Sequence, residues 1–176
     1  MKTKKIILGG FFVALGVIIP MLFHMVKLGG PIFLPMHIPV LLAGLLLGGE
    51  YGLIVGFLTP IISSVLTGMP PMMPVLPIMT VELAVYGLIS GLLFNKFNFN
   101  VIISLIISMI CGRIGAFIVV YIMANMFGFA KLNPVMWLKG GIITGIPGIA
   151  IQIIFIPLLV NLINKSLKGG AYEITN

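Results

Sequence analysis

The stretch that decides the fold is residues 31–52, PIFLPMHIPVLLAGLLLGGEYG. It places His37 between two prolines and follows it with an apolar run shorter than the about 20 residues of an ordinary membrane helix. The run ends at two glycines and Glu50. We therefore predict that the apolar region from residue 34 to residue 66 divides into two short helices, 34–47 and 51–66, each about 21 to 24 Å long.

Composition places the rest of the chain in a membrane as well. The 176 residues are 60% hydrophobic and only 7% charged, with a mean hydropathy of +1.29, which lies outside the range of soluble domains. Four longer apolar runs predict membrane helices at residues 6–26, 75–94, 101–127 and 137–163. The prediction is an all-α integral membrane protein, a single domain over residues 1–176 formed by a compact bundle of six transmembrane helices.

The lysines predict how this bundle is oriented. With six spans both termini share a side, and the positive-inside rule assigns the lysine-rich side to the cytoplasm, with the chain in the plasma membrane. That side would hold Lys2, Lys4, Lys5, Lys96, Lys165 and Lys168, against Lys27, Lys131 and Lys139 opposite. Because topology explains the positive charge, the net charge of +7 does not indicate a nucleic-acid partner.

Acidic residues are scarce enough to exclude several kinds of chemistry. The chain has no aspartate, and its only glutamates are Glu50, Glu82 and Glu173. Magnesium sites on paired aspartates are therefore excluded, and His37 has no second histidine or cysteine at metal-ligand spacing. The sequence also lacks a GxxxxGK[ST] phosphate loop and a serine–histidine–acid set, so we expect no enzyme, no metal and no cofactor.

Two ionisable residues lie inside predicted spans, where such residues are usually paired or face a cavity. Glu82 and Tyr86 are four residues apart on one helix face, and Arg113 is followed on its own helix by Tyr121 and Asn125 at multiples of four. One interpretation is a buried Glu82–Arg113 salt bridge that holds two helices together. The other is that Arg113 binds a carboxylate or phosphate of a ligand. The two are compatible if the bridge opens to admit the ligand.

Three further residues are candidates for contact with a ligand at the outer side. His37 is either a hydrated interfacial residue or a hydrogen-bonding group of an outward-facing pocket. Trp137 and Lys139, at the outer end of the last span, are either an aromatic-belt anchor and a snorkelling lysine or groups that stack on and pair with a ligand. In the first span, Gly10 and Ala14 form a small-xxx-small pair that permits close approach of another helix.

Taken together, these features resemble the substrate-binding subunit of energy-coupling factor (ECF) transporters. The resemblance covers nearly the whole chain and is carried most specifically by PMHIPVLLAG and ELAVYGLISGLL. It implies a six-helix protein that captures a vitamin or vitamin precursor outside the cell, with His37 at the base of the gating loop. It also implies docking through the small residues of the first helix, here Gly10 and Ala14, onto a membrane coupling subunit driven by two cytoplasmic ATPases.

Two matters stay open at this point. One alternative function is that of a membrane scaffold or assembly protein, in which the buried charges only hold helices together. A membrane enzyme is the other alternative. The ligand is also open: Arg113 and Lys139 favour a carboxylate or phosphate, as in pantothenate, folate or a pyridoxal compound, and the aromatic residues favour a ring. A cobalamin or a neutral pyrimidine is not excluded.

Overall fold

The computed structural model describes residues 2–25, 30–126 and 133–169, and its regular elements are all helices. A short π-helical turn at Leu92–Lys96 extends the fifth of them. In chain order the helices are α1 (Lys2–Met25), α2 (Gly30–Phe33), α3 (His37–Leu47), α4 (Gly49–Thr67), α5 (Val75–Gly91), α6 (Val101–Met126) and α7 (Pro134–Gly169).

Five of these helices are long and apolar enough to cross a membrane, which agrees with a multi-pass bundle. They are α1, α4, α5 with its π turn, α6 and α7 as far as Ile163. The remaining predicted span, residues 34–47, corresponds to α3. This helix has 11 residues and is about 16 Å long, so it is shorter than predicted. The structure does not test which side of the membrane holds the termini.

The boundary between α3 and α4 corrects the predicted length of the third span. We predicted that α4 begins at residue 51, but it begins at Gly49 and has 19 residues. A single residue separates the two helices, since Gly48 has a φ of 101°, a conformation that favours glycine. Glu50 then lies in the first turn of α4, where a negative charge interacts favourably with the helix dipole.

Helix α3 is buried almost all round, and glycines let its neighbours come close. A Cβ atom on Gly44 would collide with the Gly87 carbonyl of α5, and one on Gly52 of α4 would meet the same carbonyl. Helices α3, α4 and α5 therefore pack backbone to backbone at this level. These contacts hold α5 directly against α3. Helix α5 carries Glu82 and Tyr86, and α3 begins with His37.

Glycines also bring α6 and α7 to the same region. A Cβ atom on Gly112 of α6 would collide with the ring of Tyr86, and one on Gly148 of α7 would lie 2.7 Å from the carbonyl oxygen of Ile32. The buried amide of Gln152 donates from Nε2 to the Leu34 carbonyl at 3.4 Å. The segment before α3 is thus held on α7, next to the residues that form the site.

Candidate functional site

The centre of the site is Glu82 on α5, whose oxygen Oε1 is approached by groups from three directions. Arg113 Nη1 lies 3.0 Å from it, and the Tyr86 hydroxyl donates to it at 3.1 Å. His37 Nε2 lies 3.9 Å from the same oxygen. Because an ion pair taken out of water needs such additional hydrogen bonds, the arrangement can hold Glu82 and Arg113 in an apolar bundle.

Arg113 and His37 both keep hydrogen-bonding capacity that the described residues do not use. Arg113 Nη2 donates to the Gly141 carbonyl at 3.3 Å, whereas its buried Nε has no protein partner. The His37 side chain is 3% exposed, and neither of its ring nitrogens has a hydrogen-bond partner. Its ring packs edge-on against Tyr86 with centroids 5.3 Å apart. Unpaired buried groups of this kind are costly and call for a partner such as a ligand or water.

A cavity of about 660 Å³ opens onto this cluster. Its size is within the range of about 300 to 1,000 Å³ typical of small-molecule sites. Helices α1, α3, α4, α5, α6 and α7 all contribute to its wall, as does the proline-rich segment between α4 and α5. The lining includes His24, His37, Ser63, Thr67, Glu82, Arg113, Asn133, Trp137 and Thr144, together with Met21, Met36, Met69, Met79 and Met136.

The structure brings only some of the predicted ligand residues to this cavity. His37, Glu82, Arg113 and Trp137 line it, and Tyr86 lies behind Glu82, buried against α6. The predicted association of Glu82 with Arg113 is present as an ion pair. These residues come from four different helices, so no local sequence pattern could have grouped them.

Tyr121, Asn125 and Lys139 are not among the lining residues. Tyr121 is 56% exposed on the outer surface of α6, and Asn125 donates to the Tyr121 carbonyl at 2.8 Å. Four residues turn a helix by about 400°, so each step of four drifts about 40° and Tyr121 faces well away from Arg113. Lys139 is also exposed. It follows Trp137 by two residues, which correspond to about 200° of helix rotation, so the two side chains lie on opposite sides of α7.

Sequence reasoning did not single out the methionines or the hydroxyl groups of the cavity wall. Ser63 and Thr67 are four residues apart at the end of α4, a spacing that could have signalled a polar face. Ser63 donates to the Met69 carbonyl at 2.7 Å and Ser64 to the Pro70 carbonyl at 2.7 Å, which ties the proline-rich segment to α4. The methionines carried no such signal, because in a membrane sequence they look like ordinary apolar filling.

No metal centre is evident in the part of the chain that the structure describes. There, no group of three or more histidine, cysteine, aspartate or glutamate side chains is close enough to hold an ion. His24 and His37 both line the cavity, with Glu82 the only carboxylate beside them among the described lining residues.

The two small residues of α1 lie on its outer face. Gly10 and Ala14 are exposed, and a Cβ atom on Gly10 would meet no atom of the described residues within 4 Å. Gly16 lies on the opposite face, where a Cβ atom would collide with Thr59 of α4. Helix α1 therefore has one face packed within the bundle and one face, bearing Gly10 and Ala14, that is open to lipid or a partner.

Comparison with known proteins identifies the family. The family model described as "ECF transporter, substrate-specific component" matches residues 4–160, a range that holds all of the cavity residues and most of the bundle. No curated protein and no solved structure was found to match the chain. The chain therefore belongs to the family of substrate-specific components of ECF transporters.

Proposed function

We propose that this transporter subunit captures a small water-soluble vitamin or vitamin precursor in the 660 Å³ cavity, from the extracellular side of the plasma membrane. It then delivers the molecule through a membrane coupling subunit driven by separate cytoplasmic ATPases. One observation carries the proposal: the cavity ends on buried His37, whose ring nitrogens make no hydrogen bond to any residue that the structure describes. A merely structural histidine would have its hydrogen bonds satisfied within the bundle.

The wall of the cavity suits a ligand with an apolar or aromatic body. Five methionines, Met21, Met36, Met69, Met79 and Met136, surround the space with Trp137. Methionine side chains are flexible and polarizable, and their sulfur atoms make favourable contacts with aromatic rings. The polar cluster of His37, Glu82 and Arg113 then binds the polar end of the ligand and sets its orientation.

The outer face of α1 is the proposed docking surface for the coupling subunit. Gly10 and Ala14 are exposed between larger apolar side chains such as Phe11 and Ile18. Small residues on a membrane helix allow another helix to approach closely, so this face fits a helical partner in the bilayer. The ligand cavity is formed by other surfaces of the bundle, which allows capture and docking to be separate events.

The test is thermal unfolding of the purified, detergent-solubilised chain in the presence of individual B vitamins and their precursors. A molecule that binds only the native state adds RT ln(1 + L/Kd) to the free energy of unfolding, where L is its free concentration, so the unfolding temperature rises with that concentration. We expect at least one stabilising compound, without ATP or partner subunits. The scaffold alternative predicts none, so a folded protein that no compound in a broad screen stabilises would contradict the proposal.

A variant assigns any hit to the cavity. His37→Phe keeps an aromatic ring against Tyr86 but removes both ring nitrogens, so ligand affinity should fall by about 1 to 3 kcal/mol while the protein stays folded. Tyr121→Phe, a similar loss of a polar atom on the exposed surface of α6, is the matched control and should bind normally. Equal affinities for both variants would place the ligand elsewhere.

A further inference from the structure

We propose that the cavity selects a ligand whose polar end is electrically neutral and offers both a hydrogen-bond donor and an acceptor. It discriminates against the phosphorylated or carboxylated counterpart of the same molecule. This inference rests on the proposed function, since it specifies the ligand of the same cavity. It departs from the preference for an anion that Arg113 and Lys139 indicate when the sequence is considered alone.

The first argument is charge balance at the base of the cavity. Arg113 and Glu82 form a close ion pair, with Nη1 and Oε1 3.0 Å apart, so their charges compensate each other. They are the only acidic, lysine or arginine side chains among the described lining residues. Lys139, which would have supplied a second cation, is exposed outside the lining.

The second argument is that both terminal nitrogens of Arg113 already have partners, each through one of its two N–H groups. Nη1 faces Glu82, and Nη2 donates to the Gly141 carbonyl at 3.3 Å. An anion that approaches Arg113 therefore comes beside the Glu82 carboxylate. Two negative charges close together in apolar surroundings repel each other strongly, and the buried pair would have to break to relieve the repulsion.

The third argument concerns the groups that remain available. Arg113 Nε–H is a buried donor without a partner among the described residues, and an imidazole ring such as that of His37 provides one donor and one acceptor when it is uncharged. Hydroxyl and amide groups can satisfy such a mixed set, because each donates and accepts. A phosphate or carboxylate can only accept at neutral pH, so it leaves the acceptor nitrogen of His37 unpaired.

The experiment compares matched pairs that differ in the charge of one group. The probes are nicotinamide and nicotinate, pyridoxine and pyridoxine phosphate, panthenol and pantothenate, and riboflavin and its monophosphate. Binding to the purified full-length chain is measured by calorimetry at about pH 8, above the usual range of histidine titration. In any pair that binds, we expect the neutral member to bind about tenfold or more tightly than the anionic one.

The wild-type outcomes separate this inference from the proposed function. Equal or tighter binding of the anionic member overturns the charge selectivity and leaves vitamin capture intact. Failure of every probe, with the protein shown to be folded and after a negative vitamin screen, overturns both. Preference for the neutral member supports both.

A variant tests the cause of the selectivity. Glu82→Gln keeps the shape of the side chain and leaves Arg113 as an uncompensated cation, so the affinity ratio should shift toward the anionic member by about tenfold or more. Tyr121→Phe is the control, since it removes a polar atom on the exposed surface of α6 without changing any charge, and its ratio should stay at the wild-type value. An unchanged ratio in folded Glu82→Gln would contradict the inference. If that variant does not fold, the wild-type ratios decide.

Discussion

At the scale of single residues, the site is organised around one oxygen atom. Oε1 of Glu82 is approached by Arg113, Tyr86 and His37, which come from three helices. The two interpretations offered by the sequence, a structural pair and a ligand site, meet here in the same side chains. The pair is formed and buried, yet it lies at the wall of a cavity with unpartnered donors beside it.

A double-mutant cycle separates the two roles. Glu82→Leu and Arg113→Met should each destabilise the fold by roughly 3 to 5 kcal/mol, because each leaves one buried charge without its partner. The double variant should recover much of that loss, since no charge is then stranded. Unfolding free energy and ligand affinity are measured separately for all four proteins. Recovery of stability alone keeps Arg113 in the ligand site, whereas recovery of affinity as well would remove it.

At the scale of elements, α1 has two faces with different neighbours. Gly9, Phe12 and Gly16 are buried, with Gly9 against Val55 and Gly16 against Thr59 of α4. Gly10 and Ala14 lie on the exposed side. The pattern of small residues predicts a helix that can be approached closely, but it does not say which glycine serves the bundle and which one a partner.

Substitutions on these two faces should have different effects. Gly10→Leu or Ala14→Leu adds bulk on the exposed face of α1, so it should abolish uptake by the assembled transporter while ligand affinity and unfolding temperature stay near the wild-type values. Gly16→Leu is the control on the other face and should lower the unfolding temperature, because its side chain would overlap Thr59. Normal uptake by Gly10→Leu would rule out this face as the docking surface.

At the scale of the whole molecule, the direction of the bundle in the membrane stays a prediction from the lysines. The cavity is built at one end, by the last turns of α1 and α4 and the first turns of α3 and α7. Lys5 lies at the other end, where its Nζ donates to the Leu47 carbonyl at the end of α3 and lies 5.8 Å from the centroid of the Tyr51 ring. Because the positive-inside rule predicts that the lysine-rich end is cytoplasmic, it also predicts that the cavity opens to the outside of the cell.

Labelling in intact cells tests that direction. In a Cys111→Ser background, which removes the single native cysteine, Met72→Cys near the cavity mouth should react with a membrane-impermeant maleimide. Lys165→Cys, exposed near the end of α7, should react only after the cells are permeabilised. The positive-inside rule is the physical reason, since lysine-rich segments stay on the cytoplasmic side. The reverse pattern of labelling would place the cavity on the cytoplasmic side and contradict capture from outside.

The sequence by itself determined the class of the protein and most of its helices. Long apolar runs with very few charged residues are typical of membrane helices, so α1, α5, α6 and α7 follow from hydropathy and length. Because only 7% of the residues are charged, Glu82 and Arg113 were conspicuous, since a charge inside a span needs a partner. The boundary at Gly48 was placed only to within a few residues, since the glycine pair permits the turn at more than one position.

Only the tertiary structure decided which candidates form the site. Tyr121 and Asn125 follow Arg113 at multiples of four, but the rotation that accumulates along α6 puts them on the surface. Lys139 was predicted from its position at the outer end of the last span, and it is exposed across α7 from Trp137. His37, Glu82, Arg113 and Trp137 meet because glycine contacts let α3, α4 and α5 pack closely and bring α6 and α7 against them. The physical reason is that periodicity specifies one helix at a time, whereas a cavity depends on how several helices are rotated and spaced against one another.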